Sequence, residues 1–198
     1  MEINNLLLFV FLLALYFALH SVLANQKVKS WLIDRWIDKR YYRILYNVLA
    51  VVLLLPIAWV YLSISSHLLF EYLWLNYIGL GISLFGMALL FVALSQYDLS
   101  EFSGTQQLRA NKAPAPVVLR TDGLNGIVRH PLYFSGLLIL WGWFLFRPTD
   151  LYLVLALVAT LYIYVGTKLE EQKLVVEFGE AYVVYQKDVG MLLPWVRI

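Results

Sequence analysis

The chain has 198 residues, of which 62% are hydrophobic and only 14% charged, against about 45–50% and about 25% in a soluble domain. One core of this size cannot hide so much apolar surface, so lipid must cover the remainder, and a net charge of +2 provides no basic surface of the kind that nucleic acid requires. The absence of cysteine excludes disulfides, a thiolate nucleophile and any Cys-ligated metal.

Five apolar stretches follow in chain order, and the expected fold is all-α and membrane-embedded. The first, residues 6–24, matches the ~20 residues of a spanning helix. Glu2 is the only charge before it and no small-residue cleavage site follows, so it is expected to be a retained first span rather than a secretory signal. Residues 44–62 and 73–94 are long enough to cross a hydrocarbon core of about 30 Å. Residues 132–146 make only about 22 Å of helix at ~1.5 Å per residue before Arg147 and Pro148, which is short. Residues 151–169 form the fifth stretch. A short fourth helix paired with the fifth would leave a notch near one membrane face, the expected place for a site. The chain is read as one membrane domain, with three spans in residues 1–95 and a second, catalytic half in residues 96–198.

Lysine and arginine give the orientation. Six lie between Asn25 and Arg43, four between Gln96 and Pro131 and four from Lys168 onward, while the intervening loops hold none and Arg147 alone. Five spans bring the three basic segments to one face, so the N-terminus is expected outside and the tail in the cytoplasm. Trp59, Tyr61, Tyr72, Trp74 and Tyr77 then sit at the outer ends of the second and third spans, as interfacial aromatics do. Gly79, Gly81 and Gly86 have no strand before them, so they suggest close helix packing rather than a dinucleotide fingerprint.

Two polar clusters adjoin the apolar stretches on the expected cytoplasmic side. In the first, Asp122 to Tyr133, Pro131 suits the first position of a helix. Arg129 and His130 would then stand at that helix's N-terminus, where the backbone already favours an anion. A ligand carboxylate or phosphate fits there, and so does the plainer reading of a basic interfacial anchor. The second cluster follows the fifth stretch: Lys168, Glu170, Glu171, Gln172 and Lys173, then Phe178-Gly179 and Tyr182 and Tyr185. Adjacent helical carboxylates point about 100° apart, so one at most is expected to face inward, and a solvated position is the expectation for Glu171. Tyr182 and Tyr185 share a helical face. Tyr182 could cover a flat ring, and Tyr185 is expected in the core. An anion site, an acidic site and aromatic surface together suit a zwitterionic, partly flat cofactor. S-adenosylmethionine has those features without being singled out by them.

Arg129-His130-Pro131-Leu132-Tyr133, followed by Glu170-Glu171, Leu174, Phe178-Gly179, Tyr182, Tyr185, Val189 and Pro194, resembles the membrane methyltransferase superfamily, which includes isoprenylcysteine carboxyl and phospholipid methyltransferases. His20-Ser21-Val22, Tyr97-Asp98-Leu99, the stretch 102–107 and Tyr162 to Gly166 are similar to the methanethiol S-methyltransferase and NnrU-like branch. The resemblance implies S-adenosylmethionine held at the cytoplasmic face, with His130, Pro131, Tyr133, Glu170 and Glu171 as cofactor-site residues. Aligned on Phe178-Gly179, Gly166 falls where the isoprenylcysteine branch carries an arginine near its substrate carboxylate, which argues for a smaller or uncharged acceptor.

The implied reaction is in-line transfer of a sulfonium methyl to the sulfur of a small thiol such as methanethiol. A low-dielectric pocket favours it once thiolate and sulfonium are aligned. Making the thiolate is harder, because free thiols such as that of Cys titrate near pH ~8.5. Glu170 or His130 could take that proton. The expected arrangement puts Glu170 near the acceptor, Arg129 and His130 near the cofactor's anionic end, and Tyr133 or Tyr182 against the sulfonium. His20 and Asp98 are further candidates for contact with substrate, although an interfacial hydrogen bond accounts for His20 as well. With three histidines in all, no metal site is expected. The alternatives are a lipophilic acceptor (prenylcysteine or an ethanolamine lipid), a non-enzymatic NnrU-like accessory protein, or a small transporter. A transporter would need polar groups at mid-membrane that these spans lack. The sequence sets no oligomeric state.

Overall fold

The computed structural model describes residues 3–97, 100, 103, 105–108 and 118–196. Among them the regular elements are all helical: α1 (Ile3–Ala24), α2 (Gln26–Arg35), α3 (Lys39–Ser63), α4 (Leu73–Ser95), α5 (Thr105–Leu108), a 3-10 turn (Gly123–Gly126), α6 (Pro131–Phe146), α7 (Asp150–Phe178) and α8 (Glu180–Asp188). α1, α3, α4 and α7 are long and apolar enough to cross a membrane, and α6 is a shorter apolar helix. α3 turns large side chains such as Val51, Leu55 and Leu62 outward, which is stable only where lipid replaces water. The chain is an all-α integral membrane protein, with the five apolar stretches helical as expected.

The chain divides into two compact units, Met1–His67 with Tyr97–Pro114 and Leu68–Gln96 with Ala115–Ile198. In the first unit α1 packs on α3: Phe9 and Leu13 are buried and Phe9 meets the Tyr61 ring. α2 starts at Asn25, whose Oδ1 accepts from Lys27 N at 2.9 Å. α3 starts at Asp38, which accepts from Arg40 N at 2.8 Å. These short polar side chains satisfy amides that the first helical turn leaves unpaired.

The second unit groups the third span with the fourth and fifth. α6 touches α7 where Trp141 Nε1 donates to Thr160 Oγ1 at 3.0 Å. Its tightest packing is on α4, a pairing the sequence did not suggest. Small residues permit it: a Cβ at Gly142 would lie 2.6 Å from Ser83 Oγ and 2.8 Å from the Gly79 carbonyl, and one at Gly79 would fall on the backbone of Phe146. Ser83 Oγ donates to the Ile139 carbonyl at 3.1 Å across this seam. Of the three glycines expected to serve packing, Gly79 and Gly86 do so and Gly81 faces open space. α7 has 29 residues, about 43 Å at ~1.5 Å per residue, so its last turns outrun an apolar slab of ~30 Å and carry Glu170 and Glu171 beyond the apolar part. Gly179, at φ +60°, turns the chain from α7 into α8 through a conformation that side chains disfavour.

Candidate functional site

The site lies wholly in the second unit, where the N-terminus of α6 meets the last turns of α7, α8 and the segment after α8. Pro131 takes the first helical position of α6 and His130 the cap, because the missing amide of proline costs nothing there. The segment before it is laced to the chain's last stretch. Val128 and Gly190 form a parallel bridge, Arg129 N donates to the Gly190 carbonyl at 2.8 Å and His130 N to that of Met191 at 3.2 Å. Tyr185, buried as expected, donates its hydroxyl to the Asn125 carbonyl at 2.6 Å.

Glu171 is the centre of a buried polar network. Its Oε1 accepts from Arg129 Nε at 2.6 Å, His130 Nε2 at 3.2 Å and the Tyr182 hydroxyl at 3.3 Å. Its Oε2 accepts from Arg129 Nη2 and Gln186 Nε2, each at 3.0 Å. Arg129 Nη1 donates to the carbonyls of Gln186 and Val189. The side chains of Arg129 and Glu171 are 0% and 5% exposed, so the pair is tolerable only because nearly every donor and lone pair is matched. The Tyr182 phenol is pushed well above the usual tyrosine range, first by burial and then by the neighbouring Glu171 carboxylate, and it remains a donor at any physiological pH.

Three expectations are corrected here. Glu171, not Glu170, is the inward carboxylate: α7 turns position 171 toward the Arg129 fork and leaves the Glu170 side chain 45% exposed. Arg129 was expected beside a ligand's anionic end, but its guanidinium is consumed by Glu171 and two backbone carbonyls, so it fastens α6, α7 and α8 together. Tyr182, expected against a ligand ring, is likewise buried behind Glu171.

A second, more open layer stands in front. Tyr133 donates its hydroxyl to Glu170 Oε2 at 2.9 Å and stacks on the His130 ring, centroids 5.6 Å apart at 17°. His130 Nδ1 lies 3.9 Å from Glu170 Oε2, so the imidazole stands between the two carboxylates. α7 and α8 also frame an open groove of about 600 Å³ lined by Lys168, Glu171, Gln172, Gln186 and Lys187 among others; it reaches Glu171, while Glu170, His130 and Tyr133 are not part of its lining. The sequence reading overlooked Gln186 as a site residue, although its spacing of four from Tyr182 puts both on one helical face.

His20 belongs to the first unit, where its Nε2 lies 2.7 Å from the Tyr46 hydroxyl and its ring stacks on Tyr16, a hydrogen-bonded position as its plainer reading had it. Asp98 lies outside the described residues.

Residues 11–189 match the model of the family described as "Protein of unknown function (DUF1295)". The chain belongs to this family. Among curated proteins it is 36% identical to the methanethiol S-methyltransferase of Pseudomonas deceptionensis, over 97% of this chain and 74% of that one. It is 33% identical to that of a Pseudomonas sp. strain, over 92% and 71%, and 32% identical to that of Crocosphaera subtropica, over 98% and 76%. The resemblance to methanethiol S-methyltransferases read from the sequence therefore holds across nearly the whole chain, and the relatives are enzymes that transfer methyl groups. No solved structure matches it.

Proposed function

We propose that the protein is an S-adenosylmethionine-dependent methyltransferase of the membrane that methylates the sulfur of a small, lipid-soluble thiol such as methanethiol. The observation carrying this reading is the layered cluster at the end of α6. Half-exposed Glu170 and Tyr133 stand in front, with the buried His130 ring stacked on Tyr133, and a saturated Arg129–Glu171 pair behind them fixes their positions. The names of the relatives supply the reaction class and the acceptor; the side chains are suited to both.

The donor chemistry fits the residues present. Glu170 has acceptor capacity beyond the Tyr133 hydroxyl for an ammonium or a ribose diol, and the Tyr133 face suits a sulfonium through cation–π attraction. Lys168, Lys187, Gln172 and Gln186 around the groove suit a carboxylate. Its volume lies within the ~300–1,000 Å³ typical of small-ligand sites. When bound, S-adenosylmethionine supplies an electrophilic methyl group. The chain's own task is to align a thiol with it and exclude water. His130, Pro131, Tyr133 and Glu170 are the residues assigned to hold the donor, with Glu171, Arg129 and Tyr182 supporting them. Gly166 itself brings no cation to the position where the isoprenylcysteine branch carries an arginine, and among the described residues nothing lies within 4 Å of where its Cβ would be, which favours an uncharged acceptor over a prenylcysteine.

The family resemblance suggests the bacterial inner membrane, and the distribution of Lys and Arg supports an N-terminus outside and the site at the cytoplasmic face. Calorimetry in detergent tests the donor site. Saturable binding of S-adenosylmethionine, abolished in Glu170→Ala, is the expected result; folded wild-type protein that binds none would remove the reading.

A further inference from the structure

The imidazole of His130 has different neighbours at its two nitrogens. Nε2 faces Glu171 Oε1 at 3.2 Å. That carboxylate is held by both prongs of the Arg129 fork, and an ionised carboxylate can only accept hydrogen bonds. The nitrogen facing it must therefore carry a hydrogen. Nδ1 faces Glu170, from within a side chain that is itself only 6% exposed. Its nearest acidic oxygen, Glu170 Oε2, is 3.9 Å away, too far for a hydrogen bond, and that oxygen already accepts from Tyr133. In the neutral ring, Nδ1 thus presents a lone pair toward the side on which the half-exposed Glu170 stands. The groups around the ring are Arg129 before it, Tyr133 from α6, Glu170 and Glu171 from α7 and, through Glu171, Tyr182 from α8.

Resting on the thiol-methyltransferase reading above, we infer that His130 Nδ1 is the general base that deprotonates the acceptor thiol, and that Glu171 is a positioning residue fixing the tautomer that makes it one. The thiol's S–H bond breaks, its proton passes to Nδ1, and its electron pair stays on sulfur. That pair forms the bond to the methyl carbon, while the pair of the breaking carbon–sulfur bond returns to the donor's sulfur. Two neutral thioethers result, and the imidazolium passes its proton to water past the half-exposed Glu170. The arrangement reuses the logic by which a buried carboxylate orients a catalytic histidine, with the acid at one ring nitrogen and the reacting group at the other. Glu170 is then left to face the donor and is not the base.

Two measurements decide this. Nitrogen-15 NMR of histidine-labelled full-length protein in detergent reads the tautomer without any turnover, and with three histidines in the chain the signal is assigned by loss in His130→Gln. The expected result is a neutral ring protonated on Nε2. A ring protonated on Nδ1, or doubly protonated throughout the active pH range, overturns the inference. The second measurement compares ethanethiol with trifluoroethanethiol, which is similar in size but much more acidic. His130→Gln should lose about 10²-fold or more on ethanethiol, the usual scale of a general base, and under about tenfold on trifluoroethanethiol. Equal losses on both thiols by a variant that still binds S-adenosylmethionine overturn the base. Wild-type protein that methylates neither thiol overturns the thiol reading itself.

Discussion

Glu170 and Glu171 are neighbours in sequence and chemically alike, yet replacing each with alanine should give sharply different results. Glu171→Ala leaves the Arg129 guanidinium, 0% exposed as a side chain, without its counter-ion. It also strips His130, Tyr182 and Gln186 of a shared acceptor. Breaking a buried pair from one side costs about 3–5 kcal/mol. At roughly 2–4 °C per kcal/mol for a chain of this length, Tm should fall by roughly 6–20 °C. Glu170→Ala removes one hydrogen bond, from the Tyr133 hydroxyl, at a half-exposed position, for about 0.5–1.5 kcal/mol and a fall of roughly 1–6 °C. The assay is thermal unfolding of both variants in one detergent, with S-adenosylmethionine titrated into each at a temperature where both are folded. Glu170→Ala should unfold near the wild type and fail to bind the donor. If Glu170→Ala proves as destabilising as Glu171→Ala, the division into a supporting pair and a ligand-facing layer is wrong.

The α4–α6 seam gives a second contrast. Gly142→Ala places a methyl 2.6 Å from Ser83 Oγ and should cost about 1–3 kcal/mol by overpacking, whereas Gly81→Ala, in open space, should be neutral or slightly stabilising; unfolding midpoints check both. Arg129→Lys keeps the charge but loses the fork that reaches both Glu171 oxygens and two carbonyls, so it should destabilise nearly as much as Glu171→Ala in the same assay. The raised Tyr182 pKa sets a pH dependence. Its neutral form is favoured in the folded state, so the stabilisation is complete below the ordinary tyrosine range of about 10 and declines as pH rises through that range, where only the unfolded chain ionises. Tyr182→Phe should flatten the alkaline limb of a plot of stability against pH.

The spans were legible because lipid demands long, uninterrupted apolar runs, and residues 44–62 or 73–94 admit no other use. The proximity of His130 and Glu170 could not be read from periodicity, since about forty residues and two helices separate them; only the ordered motif suggested it. Which of the two glutamates turns inward depends on the rotation of α7 about its axis, and an all-round apolar helix carries no stripe that fixes this. The role of Arg129 was misread for a related reason. Its partners include backbone carbonyls of Gln186 and Val189, which no side-chain pattern reveals. The α4–α6 pairing was half-visible in Gly79 and Gly86, but glycines announce a close approach without naming the helix that approaches.

The most direct test is to identify the product. Purified protein in lipid vesicles, given methyl-labelled S-adenosylmethionine and methanethiol, should release labelled dimethyl sulfide into the headspace. Mass spectrometry should detect it, and His130→Gln should lower its rate of release about 10²-fold or more. Label appearing on prenylcysteine or an ethanolamine lipid but not on the thiol, or no transfer by protein that binds the donor, would contradict the assignment.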